Sequence, residues 1–173
     1  MKVNIEEFSP CNKGLDYYKS QPDFKAAWEN CPRGDWMLWI AQRLQVDTKV
    51  LILAKGKCAE TIIHLMKDEK SVNAVKAAIA YGMSEITERD LDIAYAYAYE
   101  VEIREFSLTA AAAALSANLS GSADSLATVV TDARTCFFDY DAEVKKEGLL
   151  KLANICREIL TEQVLEKISN LEQ

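Results

Sequence analysis

The chain is short of the residues that make a backbone turn often and of those that react. Its 173 residues include six glycines, three prolines and one histidine. So few turn formers argue against an all-β fold of many short strands and favour long helices with brief connections. It contains no Gly-x-Gly-x-x-Gly, no phosphate-cradling P-loop, no His-Glu-x-x-His and no Cys-x-x-Cys pair. Basic residues are in deficit, with a net charge of −7, which disfavours non-specific nucleic-acid binding because phosphate neutralisation needs excess Lys and Arg. The opening "MKVNIEEFSP" lacks the apolar run of a secretory leader. The uncharged stretch 106–123 is mostly alanine and serine, with Asn118 and Gly121 inside it, and is too weakly apolar to span a membrane. Five scattered cysteines (Cys11, Cys31, Cys58, Cys136 and Cys156) read as reduced thiols used as small core residues. That reading and the missing leader make the cytoplasm the expected location.

What is present is helix-forming. Half the residues are apolar and about a quarter charged, and 173 residues suit one domain, 1–173, with an adequate core. Ser9-Pro10 reads as a serine cap before a short helix through Leu15 and Tyr18. Pro22-Asp23 opens a second helix, with Phe24, Ala27, Trp28 and Cys31 at helical spacing. Pro32 and Gly34 interrupt it, and Asp35 reads as the cap of "WMLWIA", a helix apolar on every side and therefore buried. Asp47 caps a helix striped by Leu51, Ala54, Cys58, Ile62, Leu65 and Met66, its lysines and acids facing elsewhere. Ser71 starts a helix that Gly82 closes as a left-handed C-cap.

Thr87 with Asp90 forms a capping box before "LDIAYAYAYEVEI". The Tyr–Ala alternation there has a strand-like period, but alanine is poor in strands and good in helices. Read as a helix, the segment centres Ala94, Ala98 and Val101 on the core, with Tyr97 on one flank and Tyr95 and Tyr99 on the other. Gly121-Ser122 separates two further helices, the second striped by Leu126, Val129, Val130, Ala133, Phe137 and Tyr140. Asp141 opens another, striped by Leu149, Leu152, Ala153, Cys156 and Leu160, and Thr161 caps a terminal helix. No pattern recurs at a solenoid period. The expected fold is all-α, an irregular bundle or antiparallel array of about seven to nine helices.

Little in this pattern suggests chemistry. His64 has Glu60 and Asp68 as i−4 and i+4 neighbours, but a carboxylate-bridged metal site in a bundle needs paired Glu-x-x-His motifs and further glutamates. A solvated histidine is the simpler reading, and no nucleophile motif surrounds any serine or cysteine. No catalytic residue, metal ligand or cofactor is assigned, and the chain is read as a non-enzyme. Arg33-Gly34-Asp35 spells a cell-adhesion tripeptide by coincidence. Trp28, Trp36 and Trp39 are read as core packing, with the lining of a ligand pocket as the competing reading. Tyr95, Tyr97 and Tyr99 beside Glu100 and Glu102 form an acidic, aromatic candidate for a partner surface. Tyrosines snorkelling at a core edge are the competing reading there.

Four stretches together resemble a bacterial family of alanine-rich helical immunity proteins, the Imm-5-like group. "CNKGLDYY" is similar to its Cys-x-x-Gly opening, and "AWENCPRGDWMLWIAQRLQVD" to its Trp-x-x-Cys-x-Arg-x-Asp-Trp block. "AKGKCAETIIHLMKDEKSVNAVKAAIAYGMSEI" resembles its Cys-Ala … His-Leu-Met … Asn-Ala-Val block, and "LANICREILTEQVLEKI" its closing Ile-Cys-Arg. The middle departs, its Ala and Tyr runs diluted by Val, Glu, Phe and Leu. The resemblance implies an all-helical protein that neutralises a toxin by binding it, and it brings no catalytic residues. On that reading Cys31, Arg33, Asp35, Trp36 and Trp39 are structural, Arg33 bonding a helix C-terminus or a buried acid. The expected partner is a protein, a basic toxin such as a nuclease, with neither nucleic acid nor membrane bound. The alternatives are a helical scaffold or regulatory interaction protein of phage or mobile-element origin, and a small-molecule binder or enzyme with a pocket at Trp36 or Trp39.

Overall fold

The computed structural model describes residues 3–105, 108–119, 142–171 and the single positions 123, 125, 126, 129, 130 and 132. Among the described residues there are eight α-helices and no strand. They are α1 (Asn12–Ser20), α2 (Phe24–Asn30), α3 (Gly34–Arg43), α4 (Thr48–Glu60), α5 (Glu69–Gly82), α6 (Glu88–Glu105), α7 (Leu108–Ala117) and α8 (Ala142–Leu171). Short 3₁₀ turns lie at Ile5–Phe8 and Ile63–Leu65. The all-α expectation holds. None of these helices is long and apolar enough to cross a membrane.

Helices α4 to α7 pack on one another, and α8 returns across α3 and α4 while α2 leans on it. Two glycines set the α4–α5 approach. A Cβ on Gly56 would lie 2.9 Å from Ile79 Cγ1, and one on Gly82 would lie 2.5 Å from Leu53 Cβ. Because 56 meets 79 while 53 meets 82, the two helices run antiparallel. Between α3 and α8, a Cβ on Gly34 would lie 2.4 Å from Leu152 Cβ, so the start of α3 rests directly on the α8 backbone. One continuous core runs from Ile5 to Ile168 and includes Leu38, Ala54, Cys58, Ile62, Val75, Leu91, Ala98, Leu152 and Leu160.

Several helix starts are as expected. Asp47 accepts from the Lys49 and Val50 amides at 2.9 and 3.2 Å. Thr87 Oγ1 accepts from the Asp90 amide at 3.3 Å while the Thr87 amide donates to Asp90 Oδ2 at 3.0 Å, a reciprocal box that satisfies two otherwise unpaired donors. Others differ. Ser9 does not cap α1: it closes the preceding 3₁₀ turn in the left-handed region, and the Cys11 thiol accepts from the Gly14 amide at 3.4 Å. Helix α5 starts at Glu69, two residues before the expected Ser71, with Asp68 as its cap accepting from the Ser71 amide at 2.7 Å. Gly82 is not left-handed, since Ser84 carries the positive φ of that turn (63°) and Gly82 serves the close approach to Leu53.

The α4 helix stops at Glu60, yet Ile62 and Met66 remain buried because the 3₁₀ turn turns them back onto the core. Thr161 caps nothing. It sits inside the unbroken α8, donating to the Arg157 carbonyl at 2.6 Å and accepting from Trp28 Nε1 at 2.8 Å, as threonine does when it bonds back one helical turn. The Gly121-Ser122 break, the Asp141 start and the stripe positions Ala133, Phe137 and Tyr140 lie outside the described residues. Leu126 and Val130 of that stripe are buried.

Candidate functional site

Two places combine accessible aromatic rings with charge. The first is a cavity of about 490 Å³ between the N-terminal segment, α1, α2 and the first turns of α3. Its walls follow from the order of short helices. Pro10, Pro22 and Pro32 keep each helix brief, so α1 and α2 fold back over α3 instead of extending away from it. All three tryptophans of the chain line this space, together with Tyr17, Tyr18 and Phe24. Trp28 is buried, its indole N–H held by Thr161. Trp36 and Trp39 are half-buried, with one side on the core and the other toward the cavity. Tyr17 packs at 5.7 Å from the Trp36 ring, and the Gly14 Cα carries no side chain that would cover the ring. The helix "WMLWIA" is therefore not buried on every side, because α1 and α2 cover its tryptophan face only partly.

The polar edge of this cavity is an ion pair. Arg33 Nε and Nη2 donate to Asp35 Oδ1 and Oδ2 at 2.8 and 2.6 Å, a two-pronged geometry that uses both carboxylate oxygens. The expected cap at Asp35 is thus replaced: Asp35 lies in the first turn of α3, where its charge complements the helix N-terminus. The guanidinium lies 4.7 Å from the centre of the Trp36 ring. The Asp35 side chain holds Arg33 above its usual pKa. Arg33 meets the buried acid that was one of its two expected partners. The helix C-terminus is instead served by Arg157, whose Nη2 donates to the Cys31 carbonyl at the end of α2. Burial pushes the Cys31 thiol up to about 11 and the Tyr17 hydroxyl up to about 12. Both groups are neutral at pH 7, and neither is poised as a nucleophile or base.

The second place is the exposed side of α6. Leu91, Ala98 and Val101 are fully buried, so the opposite face is presented outward. Tyr97 is 53% exposed and Tyr99 46%, with Ile93 at 47% and Met83 just upstream at 56%. The five expected partner residues divide into two clusters. Lys70 of α5 donates to Glu100 at 2.8 Å and lies 5.3 Å from the Tyr97 ring centre. On the other flank Tyr95 and Tyr99 stack at 5.7 Å, and Glu102 is close enough to help raise the Tyr95 pKa, behind burial and Tyr99. Helical geometry explains the division, since 97 and 100 share one side and 95, 99 and 102 the other.

His64 is exposed on its 3₁₀ turn, and Glu60 and Asp68 end and begin separate helices. Among the described residues no three His, Cys, Asp or Glu side chains converge as metal ligands would. The residue the sequence pattern misplaced altogether is Lys55. It is 1% exposed, and its Nζ donates to the Asn118 carbonyl at 2.5 Å, just past the end of α7. Burial lowers its pKa to about 8. Its position one residue after Ala54 of the apolar stripe was the available clue. Comparison with family models, with curated proteins and with solved structures returned no match.

Proposed function

We propose that this chain is a non-enzymatic binding protein that neutralises a basic protein toxin by occluding it with the outer face of α6. The observation that carries this reading is the concentration of exposed apolar and aromatic side chains on one element. Of the six large apolar side chains left exposed among the described residues, four (Met83, Ile93, Tyr97 and Tyr99) fall between the end of α5 and the middle of α6, and the other two, Leu150 and Leu171, lie on α8. Tyrosines in such a setting are favoured at interfaces because they combine a large contact area with a polar tip. Residues 83–102 hold Glu85, Glu88, Asp90, Asp92, Glu100 and Glu102 against Arg89, with Lys70 of α5 paired to Glu100. With a net charge of −7 behind it, that face steers a basic partner toward itself and repels acidic ones. The resemblance to immunity proteins points to the same class of role.

Co-expression with the product of the adjacent gene tests the proposal. The expected result is rescued growth and a complex that survives purification. A Tyr97→Ala/Tyr99→Ala double variant should weaken that complex by roughly 30-fold or more, as for two interface tyrosines. Glu88→Lys/Asp92→Lys should slow association and remove most of its salt dependence. A neighbour that is not toxic, or rescue indifferent to both variants, would overturn the reading.

A further inference from the structure

We propose that the tryptophan-lined cavity is a binding site for a small aromatic carboxylate. The site is separate from the α6 face and does not depend on the role assigned there. Its volume of about 490 Å³ falls in the range of small-molecule sites, roughly 300–1,000 Å³. Six aromatic side chains line it, and such rings receive a flat aromatic body by offset stacking.

The polar groups decide what the rest of the ligand must be. The Tyr17 and Tyr18 hydroxyls donate to the Ala27 and Val3 carbonyls at 3.0 and 2.9 Å. The Cys31 thiol donates to the Arg33 carbonyl, and both Asp35 oxygens accept from Arg33. Among the described residues Arg33 Nη1 has no acceptor, while its sister nitrogens are committed to Asp35. Arg33, 35% exposed where it lines the cavity, therefore brings a guanidinium held in place by Asp35 to the edge of a mostly apolar space. Such an edge selects an acceptor, and an ionised acceptor over a neutral one. A cation is disfavoured because Arg33 already occupies the face of Trp36 that would attract it. The Arg33–Asp35 pair is neutral as a unit, so the aromatic body supplies most of the affinity and the carboxylate fixes its orientation.

The test uses the full chain and four probes: 2-naphthoate, 2-naphthamide, 2-naphthylmethylammonium and decanoate. Affinity is measured by calorimetry, and location by the indole N–H signals in an NMR spectrum, where the three tryptophans all report on this cavity. Naphthoate should bind about tenfold more tightly than the amide, and the ammonium and decanoate more weakly still. The Trp36 and Trp39 signals should shift. Arg33→Lys, which keeps a cation beside Asp35, should abolish the preference for naphthoate over naphthamide, and Trp36→Leu should weaken both. Should either variant fail to fold by circular dichroism, the probe series on the unaltered chain still decides. Equal binding of naphthoate and naphthamide, tighter binding of the ammonium or of decanoate, or unmoved indole signals would each overturn the proposal.

Discussion

Lys55 offers the sharpest test of the packing described above. It is buried at 1% exposure between α4 and the end of α7, and burial lowers its pKa from 10.5 to about 8. The difference corresponds to roughly 3 kcal/mol against the charged form in the folded state. Below pH 8 the lysine is protonated whether the chain is folded or not, and the penalty is carried in full. As pH rises from 8 toward 10.5 the folded chain releases this proton while the unfolded chain retains it, so the unfolded state binds more protons and folding stability rises with pH. Cys31 and Tyr17 work in the opposite direction. Their folded values near 11 and 12 lie above their ordinary values of 9.0 and 10.0, so they lower stability as pH climbs.

A Lys55→Met variant isolates the lysine, because the cysteine and tyrosine contributions cancel in the difference. Urea unfolding followed by far-ultraviolet circular dichroism at a series of pH values is the assay. The stability difference, native minus variant, should move in favour of the native chain by roughly 3 kcal/mol between pH 8 and 10.5. It should be flat below pH 8. A difference that stays constant across the window would refute the buried lysine, and one that falls would reverse the sign of the argument.

Gly34→Ala forces a Cβ to 2.4 Å from that of Leu152 and should destabilise the fold by about 2 kcal/mol or more through overpacking. Denaturant midpoints will show it, and Gly82→Ala against Leu53 should behave alike. Of the four described cysteines, Cys11 is exposed and Cys31, Cys58 and Cys156 are buried. A thiol reagent followed by peptide mass spectrometry should therefore label Cys11 in the native state and the other three only on unfolding. Lys70→Ala removes an exposed pair with Glu100 and should change stability by less than about 1 kcal/mol. A larger loss by the same unfolding assay would mean that this flank of α6 is held more firmly than its exposure implies.

The helical class of the fold and most of its helices were legible in the residues themselves. Asp47 and the Thr87–Asp90 box depend only on neighbours along the chain, and the apolar stripes identify buried faces through a local period. The same local logic misread positions whose role is set at a distance. Thr161 looked like a cap because nothing nearby in sequence reveals that Trp28 reaches it. Asp35 looked like a cap until Arg33 folded over it on the face of Trp36, and Gly82 looked like a terminator although Leu53 needs its missing side chain. Of the candidate surface, the division of Tyr97 and Glu100 from Tyr95, Tyr99 and Glu102 followed from helical spacing, while the Lys70 contact to Tyr97 and Glu100 required α5 beside it. Sequence alone determined that the chain would be helical and which stripes would be buried, because those depend on propensity and periodicity. Only the tertiary structure decided that α1 and α2 leave a cavity over the tryptophans and that Lys55 is enclosed, because close packing depends on contacts between residues far apart in the chain.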